Sequence, residues 1–385
     1  MSITLNDQQK EAFDSAVRWY KDYRDGRTRQ RIFFLSGYAG TGKTTVARIV
    51  AEACAGDRVA FIAPTGKAAS RLRQKGCHGA KTLHQFLYRV AGTKDDGDGE
   101  EPIFVSKGSL DERPLLIIMD EACMVGQWDV NNLERLNIPV LALGDIGQVP
   151  PVKAAAYFKQ GSEDYLLTDI MRQGENSNII RASFFVRNGG RLPPREYDDV
   201  KVRVGRPTQA DIRAHCGENA VMLCAYNSTR QLLNTRARIV MGFDSPLPAV
   251  GEKVVCTFNQ HETGIMNGEQ GIVLGYEELG IEQATEDENN GLMWLRMKSL
   301  TSGNETKVFF NPLCFTIEDQ DLKQEFYRSK GGFDFGWALT VHKSQGSEWD
   351  NVLLMEETLS SIPYAKLIYT GITRAAKSLL FFRKD

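Results

Sequence analysis

The sequence lacks the features of membrane and secreted proteins. No apolar run approaches the ~18 residues that a membrane-spanning helix needs, and residues 1–10 have neither the basic start nor the apolar stretch of a signal peptide. The seven cysteines form no C-x-x-C pair, and Cys77-His78 and His215-Cys216 lack the spacing of a zinc finger. We therefore expect reduced thiols, no structural zinc and a location in the cytoplasm, away from membranes.

An excess of charge of one sign is also missing. The 385 residues carry 47 basic and 49 acidic side chains, a net charge of −2. The chain as a whole offers no basic footprint for nucleic acid, so any such ligand must bind in a local groove. Coiled-coil heptads are absent from the sequence, and we expect a monomer. At 25% charged and 42% hydrophobic residues, the chain can form two or three domains with buried cores.

The sequence does contain a phosphate-binding loop. Residues 37–45 fit the pattern G-x-x-x-x-G-K-[ST] between an apolar strand-like run and a helix-like segment, which is the context that the pattern requires. The glycines allow consecutive backbone N–H groups to turn toward phosphates, and the helix adds the positive end of its dipole. Lys43 is expected to reach the β- and γ-phosphates, and the Thr44 hydroxyl to ligate Mg²⁺. The residues predicted to bind the nucleotide here are Gly37, Gly40, Gly42, Lys43, Thr44 and Thr45.

Two adjacent carboxylates follow a second apolar run. Leu115 to Met119 predicts a buried strand, and Asp120 and Glu121 would lie at its carboxyl end. Asp120 is expected to hold Mg²⁺ through water, and Glu121 to act as general base on the water that attacks the γ-phosphate. A solvated acidic pair that merely ends a strand is the structural alternative.

Short apolar runs alternate with helical patterns, which predicts an α/β fold with buried parallel strands. The runs are Val59 to Ala63, Leu115 to Met119, Val140 to Leu143, Val221 to Ala225 and Asn351 to Met355. Two segments interrupt the alternation. Tyr88 to Pro114 contains an acidic, glycine-rich stretch and predicts an exposed hairpin or loop tip, whereas Gly251 to about Lys330 is β-rich and predicts a small all-β insertion.

Several further segments form an ordered set with the two motifs above. They are Ala63 to Ala69, Thr82-Leu83-His84, Leu143 to Val152, Leu167 to Gln173, Ala338 to Glu348 and Tyr369 to Ala375. In this order they resemble the motif series of superfamily 1 helicases, in the RecD/Pif/Dda-like branch that moves 5′→3′ on single-stranded DNA. The resemblance spans Leu5 to Ala375, and the compact length is most similar to the phage Dda type.

The resemblance implies two RecA-like domains, each interrupted by an insertion, in a bacterial or phage-infected cell. The implied parts are a first RecA-like domain (1–87 and 113–175), a wedge or pin insertion (88–112), a second RecA-like domain (176–250 and 331–385) and an SH3-like β insertion (251–330).

The same resemblance implies ATP as the nucleotide, with Mg²⁺, and assigns residues outside the phosphate loop to it. Gln9 matches the adenine-reading glutamine of the family, although Gln8 is adjacent and an ordinary helical role is the alternative. Glu348 matches a contact to the nucleotide sugar. Tyr226 is a candidate for stacking on adenine, with packing at the domain edge as the alternative.

Three residues match the family's γ-phosphate machinery. Gln148 matches the position that senses the γ-phosphate and couples it to DNA, and Arg172 and Arg374 match two arginines that reach the γ-phosphate. The chemistry supports this role for the arginines. The charge of a γ-phosphate is spread over three oxygens, and a planar guanidinium offers several N–H groups to them. A salt-bridged surface arginine is the ordinary alternative.

The family's single-stranded DNA path implies another set of residues. They are Pro64, Thr65, His84, Thr340, His342 and Lys343. Most are neutral hydrogen-bonding groups, so a chain of net charge −2 could still bind a polyanion. Phe104 in the first interruption is the candidate pin that stacks on the last base pair at a fork, with Phe86 and Tyr88 as alternatives. His84 could instead be a buried, hydrogen-bonded histidine.

The predicted function is an ATP-dependent 5′→3′ DNA helicase that acts on single-stranded DNA and forks. Single-strand-binding, replication and recombination proteins are candidate partners. An RNA helicase of the same superfamily and a nucleotide-gated DNA-binding ATPase without unwinding are the alternatives. A small-molecule kinase would explain the phosphate loop but has no use for Gln148, Arg172, His342 and Arg374.

Overall fold

The computed structural model describes residues 4–95, 100–107, 112–150, 156–170, 177–260, 263–277, 292–317, 319–327, 329 and 331–385. The chain divides into two compact units, Met1–Asn176 and Ser177–Asp385. In these described ranges, no helix is long and apolar enough to cross a membrane. Phe104 lies in the described backbone, whereas Arg172 lies outside the described residues.

The first unit contains eight strands and five α-helices in its described part. The strands are β1 (Ile32–Gly37), β2 (Val59–Ala63), β3 (Lys81–Thr82), β4 (Tyr88–Asp95), β5 (Glu100–Ser106), β6 (Leu116–Met119), β7 (Val140–Gly144) and β8 (Tyr165–Leu167). The helices are α1 (Asp7–Arg24), α2 (Lys43–Cys54), α3 (Gly66–Gln74), α4 (Leu83–Leu87) and α5 (Gln127–Arg135).

A six-stranded sheet forms the centre of this unit, in the order β3-β2-β6-β7-β1-β8. Every neighbouring pair is parallel. All residues of β1, β6 and β7 are buried, as expected of parallel strands whose two faces are both covered by helices. Phe33 and Leu35 pack on the α1 and α2 side, whereas Ile32 and Phe34 pack on the α4 and α5 side. The α/β prediction is therefore confirmed, and the apolar runs predicted in this unit form the interior strands β2, β6 and β7 of the sheet.

The first interruption contains a two-stranded antiparallel ribbon. β4 pairs with β5, and the register shifts between Val90 and Gly92. The ribbon starts at Tyr88, immediately after α4. Residues 96–99, which contain most of the acidic tip, lie outside the described part of the chain.

The second unit contains eleven strands and six α-helices in its described part. The strands are β9 (Arg195–Glu196), β10 (Val200–Val204), β11 (Ala220–Cys224), β12 (Lys253–Cys256), β13 (Gln270–Glu277), β14 (Met293–Ser299), β15 (Glu305–Phe310), β16 (Phe333–Phe335), β17 (Ala338–Thr340), β18 (Trp349–Met355) and β19 (Ala375–Arg383). The helices are α6 (Asn178–Arg187), α7 (Gln209–Ala214), α8 (Asn227–Met241), α9 (Leu313–Thr316), α10 (Gln320–Tyr327) and α11 (Tyr364–Ile372).

Two sheets organise the second unit. The first has the order β17-β11-β18-β19-β10-β9 and is parallel except for the pair β9 and β10. The second is antiparallel, in the order β15-β14-β13-β12-β16. It includes Phe333–Phe335, which lies outside the range 251–330 predicted for the β insertion.

Buried polar contacts join the antiparallel sheet to the parallel one. The ammonium of Lys253 on β12 is fully buried and donates to the carbonyl oxygens of Gly217, Glu218 and Ala220 at 2.6, 3.1 and 2.9 Å. The Trp349 indole donates to Gln270 Oε1 at 3.1 Å. Removing either donor would leave buried acceptors unsatisfied, so these contacts hold the insertion in place.

Candidate nucleotide-binding site and nucleic-acid interface

The phosphate loop connects the fully buried strand β1 to helix α2. Gly40 and Gly42 have φ values of 80° and 81°, in the left-handed region that glycine favours. A Cβ on Gly37 would lie 2.8 Å from Thr41 Oγ1 and 2.9 Å from Leu167 Cβ. The loop therefore requires glycine at the positions that the sequence pattern specifies, and its backbone can form an anion-binding nest.

The helix that follows the loop carries the predicted phosphate and metal groups in its first turn. Lys43 Nζ donates to the carbonyl oxygens of Gly37 and Tyr38 at 2.7 and 3.0 Å. Thr44 and Thr45 follow it and are half-buried. The structure thus brings a lysine, two hydroxyls and a helix N-terminus to one loop, which is the donor set that a polyphosphate needs.

The side chain of Gln9, on α1, is hydrogen-bonded to the phosphate loop. Its side chain is 1% exposed, and Nε2 donates to the carbonyl oxygen of Thr41 at 2.9 Å. Its Oε1 accepts from the backbone N–H of Asn6, within a reciprocal helix cap. Gln8 instead contacts the segment after β8, because Oε1 accepts from the backbone N–H groups of Thr168 and Asp169 at 2.8 and 2.9 Å. Adenine recognition by Gln9 stays a prediction.

The two carboxylates lie at the carboxyl end of β6. Burial and the neighbouring Glu121 carboxylate raise the pKa of Asp120, while Lys43 and Lys75 oppose the shift. A buried carboxylate of this kind gains from a nearby cation. Glu121 has φ 51°, a left-handed conformation that is uncommon outside glycine and costs energy. The chain therefore turns sharply at Glu121, two residues after β6 ends.

Gln148 follows β7, the strand between β1 and β6. It is 8% exposed, and its backbone N–H donates to the Asp145 carbonyl oxygen at 3.1 Å. Asp145 Oδ1 accepts from the Gly147 N–H at 2.9 Å and fixes the turn. Because Ser36 pairs with Gly144 and Met119 with Ala142, the carboxyl ends of these three strands lie side by side.

Lys75 is a member of this charge cluster that sequence reasoning missed. It follows α3 and is exposed, and its pKa is lowered by partial desolvation and by Arg71 and Lys43, against the opposing charges of Asp120 and Glu121. No motif points to it, because its proximity to Asp120 arises from the return of α3 to the sheet. A second ammonium near the carboxylates adds to the positive potential at this edge.

These groups fit ATP and Mg²⁺. The glycine nest and Lys43 match phosphate oxygens, and the hydroxyl of Thr44 with the carboxylate of the half-buried Asp120 is an oxygen donor set of the kind that Mg²⁺ prefers. Glu121 is half-buried beside them and can accept a proton from water.

The predicted DNA contacts of the first unit also follow strand ends in its sheet. Pro64 and Thr65 follow β2 and are half-buried, and Thr65 Oγ1 caps α3 by accepting from the Ala68 N–H at 3.2 Å. His84 is exposed on α4, which excludes the alternative of a buried histidine. Phe104 lies on β5 opposite Val90 in the ribbon.

Among the residues assigned to the nucleotide in the second unit, Arg374 is the most constrained. It is 4% exposed and donates from Nε to the Thr370 carbonyl, from Nη1 to the Ser347 carbonyl and from Nη2 to Thr373 Oγ1, each at 3.1 Å. These contacts orient the guanidinium and leave other N–H groups of its five donors for a ligand. Glu348 is exposed in the turn before β18.

Tyr226 is the N-cap residue of α8 and is 45% exposed. Its hydroxyl donates to the Thr358 carbonyl oxygen, and its backbone N–H donates to Glu357 Oε2 at 3.1 Å. The hydroxyl is thus held at the domain edge while part of the ring is accessible. Both interpretations of Tyr226, packing and base stacking, are compatible with this position.

The predicted DNA contacts of the second unit follow β17. Thr340 ends that strand and accepts from the Lys343 N–H at 3.4 Å. His342 is half-buried, which lowers its pKa, and Lys343 is exposed. A hydroxyl, an imidazole and an ammonium group thus lie within four positions at the end of this strand.

Comparison with known families identifies the chain. The AAA domain family matches residues 4–200, more than half of the chain, and the UvrD-like helicase C-terminal domain matches residues 335–381. The chain belongs to the AAA domain family and is a RecD/Pif-like member of superfamily 1. The family predicted from the motif order is confirmed.

Individual relatives agree with this family. The chain is 28% identical over 375 residues to the ATP-dependent RecD2 DNA helicase of Deinococcus radiodurans, which covers 90% of this chain and 46% of that protein. It is 24% identical over 423 residues to the ATP-dependent DNA helicase PIF1 of Danio rerio, covering 89% and 56%. The chain thus spans about half the length of these relatives.

Solved structures share the fold. Pif1 helicase from Bacteroides, in complex with ADP-AlF3 and ssDNA, has a TM-score of 0.57 and 18% identity, covering 99% of this chain and 92% of that one. Pif1 helicase from Candida albicans has a TM-score of 0.54 and 20% identity, covering 100% and 95%. The prediction of P-loop domains of the RecA-like type is therefore confirmed at the level of the fold.

Proposed function

We propose that the chain is an ATP-dependent DNA helicase that moves 5′→3′ on single-stranded DNA and separates duplex. One observation carries the proposal most directly. The phosphate loop, the pair Asp120 and Glu121, and Gln148 follow β1, β6 and β7, and the predicted DNA contact Thr65 follows β2 at the same edge of the sheet. Because the nucleotide-binding residues and a DNA contact lie at one edge of the sheet, a movement caused by ATP binding or hydrolysis can alter the grip on DNA.

The hydrolytic roles follow from the charges at this edge. The loop N–H groups and Lys43 bind the phosphates, and Glu121 accepts a proton from the attacking water. Mg²⁺, held by the Thr44 hydroxyl and through water by Asp120, would neutralise phosphate charge. Gln148, on the turn fixed by Asp145, would sense the γ-phosphate.

We further propose that Arg172 and Arg374 stabilise charge on the γ-phosphate in the transition state. The hydrogen bonds of Arg374 to Thr370 and Ser347 support this for that residue, since they hold the guanidinium plane in one orientation. A preorganised arginine contributes more to a transition state than one that must be ordered during the reaction.

Single-stranded DNA is the proposed track, and forks are the proposed substrate. Pro64, Thr65, His84, Thr340, His342 and Lys343 are the proposed contacts. The relatives named as DNA helicases and the solved structure with ssDNA support DNA over RNA. We propose that one copy of the chain suffices for movement.

The test is ATP-driven strand separation on three duplexes that carry a 5′ single-stranded tail, a 3′ tail or no tail. Opening of only the 5′-tailed duplex, lost in Lys43→Ala, is the expected result. Opening of only the 3′-tailed duplex would overturn the direction. A 5′ tail made of RNA separates the two helicase alternatives, because an RNA helicase would open that duplex preferentially.

Hydrolysis measured in the same reactions completes the test. DNA-stimulated hydrolysis without any displaced strand would favour a nucleotide-gated DNA-binding ATPase. Hydrolysis that is indifferent to DNA, with no displaced strand, would reject the proposal.

A further inference from the structure

Trp128 is an exposed aromatic residue whose ring is fixed by a second ring. It lies in the first turn of α5 and is 65% exposed. Its indole stacks on the Tyr88 ring with a centroid distance of 5.7 Å and an interplanar angle of 13°. One face of the indole is therefore covered by Tyr88, and much of the remaining ring surface is accessible to a ligand.

Tyr88 gives this stack a rigid base. It is 7% exposed, packs in the core cluster between the sheet and α5, and its hydroxyl accepts from Asn132 Nδ2 at 2.8 Å. It is also the first residue of β4, so the stack lies at the foot of the β4–β5 ribbon. The exposed His84 ring lies 5.5 Å from Tyr88, tilted by 48°. Trp128 and the predicted DNA contact His84 thus both lie against the Tyr88 ring.

Polar and charged groups surround the stack. On α5, Gln127 Nε2 donates to Asn131 Oδ1 at 2.8 Å, and both residues are exposed. Lys107 Nζ donates to the Gln85 carbonyl oxygen at 2.7 Å, beside His84. Asp129 is the acidic neighbour, close enough to His84 for their charges to interact. A broad protein interface needs a contiguous apolar centre, which one ring does not provide. A single flat ring among polar groups instead suits a planar ligand with a polar backbone.

We propose that the accessible face of Trp128 stacks on one nucleobase of single-stranded DNA at the foot of the β4–β5 ribbon. The inference rests on the proposed function, because it assumes that single-stranded DNA is the track. A base has a π-face whatever its sequence, so such a contact tolerates any sequence. Trp128 would be a DNA-binding residue that keeps one nucleotide in register next to His84.

The experiment is an abasic scan combined with substitution of Trp128. Binding of labelled oligothymidylates of about 12 nucleotides, each lacking one base, is measured by fluorescence anisotropy. The proteins are the wild type, Trp128→Ala and Trp128→Phe, with Phe184→Ala as control. Phe184 is an aromatic residue of the second unit that is 46% exposed. Thermal unfolding and hydrolysis without DNA verify that each variant is folded.

If Trp128 stacks on a base, removing that base and removing the Trp128 ring should weaken DNA binding equally and not additively. For the wild type, removal of one particular base should weaken binding about tenfold, and Trp128→Ala should weaken binding to the intact oligonucleotide by the same factor. Trp128→Ala should then be insensitive to loss of that base, whereas Trp128→Phe should retain part of the sensitivity and Phe184→Ala all of it.

Two outcomes would overturn the inference. If the wild type binds single-stranded DNA but no position depends on its base, or if the position dependence persists in Trp128→Ala, Trp128 holds no base and the proposed helicase function is untouched. If the wild type does not bind single-stranded DNA at all, both the inference and the proposed function fail.

Discussion

Gln9 and Thr41 are linked by a buried hydrogen bond, from the side-chain Nε2 of Gln9 to the carbonyl oxygen of Thr41 in the phosphate loop, 2.9 Å away. Thr41 itself is 1% exposed, and its hydroxyl donates to the Tyr38 carbonyl oxygen at 2.9 Å. Helix α1 therefore supports the loop through the backbone of Thr41. This relationship gives Gln9 a role in holding the loop that is separate from the adenine contact predicted for it.

Gln9→Ala should lower kcat/KM for ATP hydrolysis by about tenfold, because a buried carbonyl loses its donor and the loop loses an anchor worth ~1–3 kcal/mol. The comparison of ATP with GTP separates the two roles of Gln9. Anchoring predicts an equal loss for both nucleotides, whereas reading of adenine predicts a larger loss for ATP. Steady-state hydrolysis with both nucleotides is the measurement.

Gln8→Ala is the matched control for this experiment. Gln8 contacts the backbone of Thr168 and Asp169 and not the loop, so its loss should leave loop-dependent nucleotide binding intact. If Gln8→Ala alone changes the preference between ATP and GTP, the adenine-reading residue is Gln8.

Glu121→Gln should reduce the turnover of ATP by at least about 100-fold while preserving nucleotide affinity, because glutamine keeps the shape of glutamate but cannot accept the proton. Turnover comes from single-turnover hydrolysis and affinity from the binding of a fluorescent nucleotide. Glu134→Gln, a half-buried position on α5, is the control and should behave as wild type. A variant that hydrolyses normally would remove Glu121 from the role of base.

Arg374→Lys should abolish most of the DNA-stimulated turnover, by about 10³-fold or more, while ATP affinity changes little. Lysine retains the charge but not the planar set of donors that bonds Thr370, Ser347 and Thr373. Arg374→Ala should in addition lower the free energy of unfolding by about 1–3 kcal/mol, because buried acceptors lose their donors.

The exposed Arg206 provides the control for Arg374, as Arg206→Lys. Turnover and thermal unfolding are measured on the same preparations. A loss of turnover in Arg374→Lys that merely parallels a loss of folded protein would assign Arg374 a structural role only.

The sequence was informative where the relevant pattern is local. A strand buried on both faces, such as Ile32–Gly37 or Val140–Gly144, appears as a continuous apolar run, and the phosphate loop has a fixed spacing. The α/β class and the helicase family followed from these signals and from the order of the motifs. The residue roles assigned within each motif stay predictions.

Contacts between distant segments carried no such signal. The bond from Gln9 to Thr41 joins positions 32 residues apart, and the stack of Tyr88 and Trp128 joins two different elements. Strand Phe333–Phe335 is three residues long, too short for a periodic pattern, so the end of the β insertion could not be located from sequence. These pairings depend on how the elements pack, which neither spacing nor composition specifies.

Lys253 should make the stability of the second unit depend on pH above neutrality. Burial lowers the pKa of Lys253 to about 7 in the folded chain, from an ordinary value of 10.5, against the opposing effects of Cys216 and Glu218. Between these two values the unfolded chain binds more protons than the folded chain at this residue, so the contribution to the free energy of unfolding rises with pH, by at most about 1.4 kcal/mol per pH unit. Below pH 7 the contribution is constant because both states are protonated.

Lys253→Met removes this titration and keeps a long side chain in the buried site. Urea unfolding at about pH 6, 8 and 9 should give a stability difference, wild type minus variant, that grows from pH 7 upward. Lys298→Met is the control for the loss of a lysine charge near Glu218, since Lys298 is 41% exposed and pairs with that residue. Parallel curves for the wild type and Lys253→Met would mean that the ammonium keeps its charge when buried. In that case the carbonyl oxygens of Gly217, Glu218 and Ala220 offset the cost of desolvation, because each can accept one of its three N–H bonds.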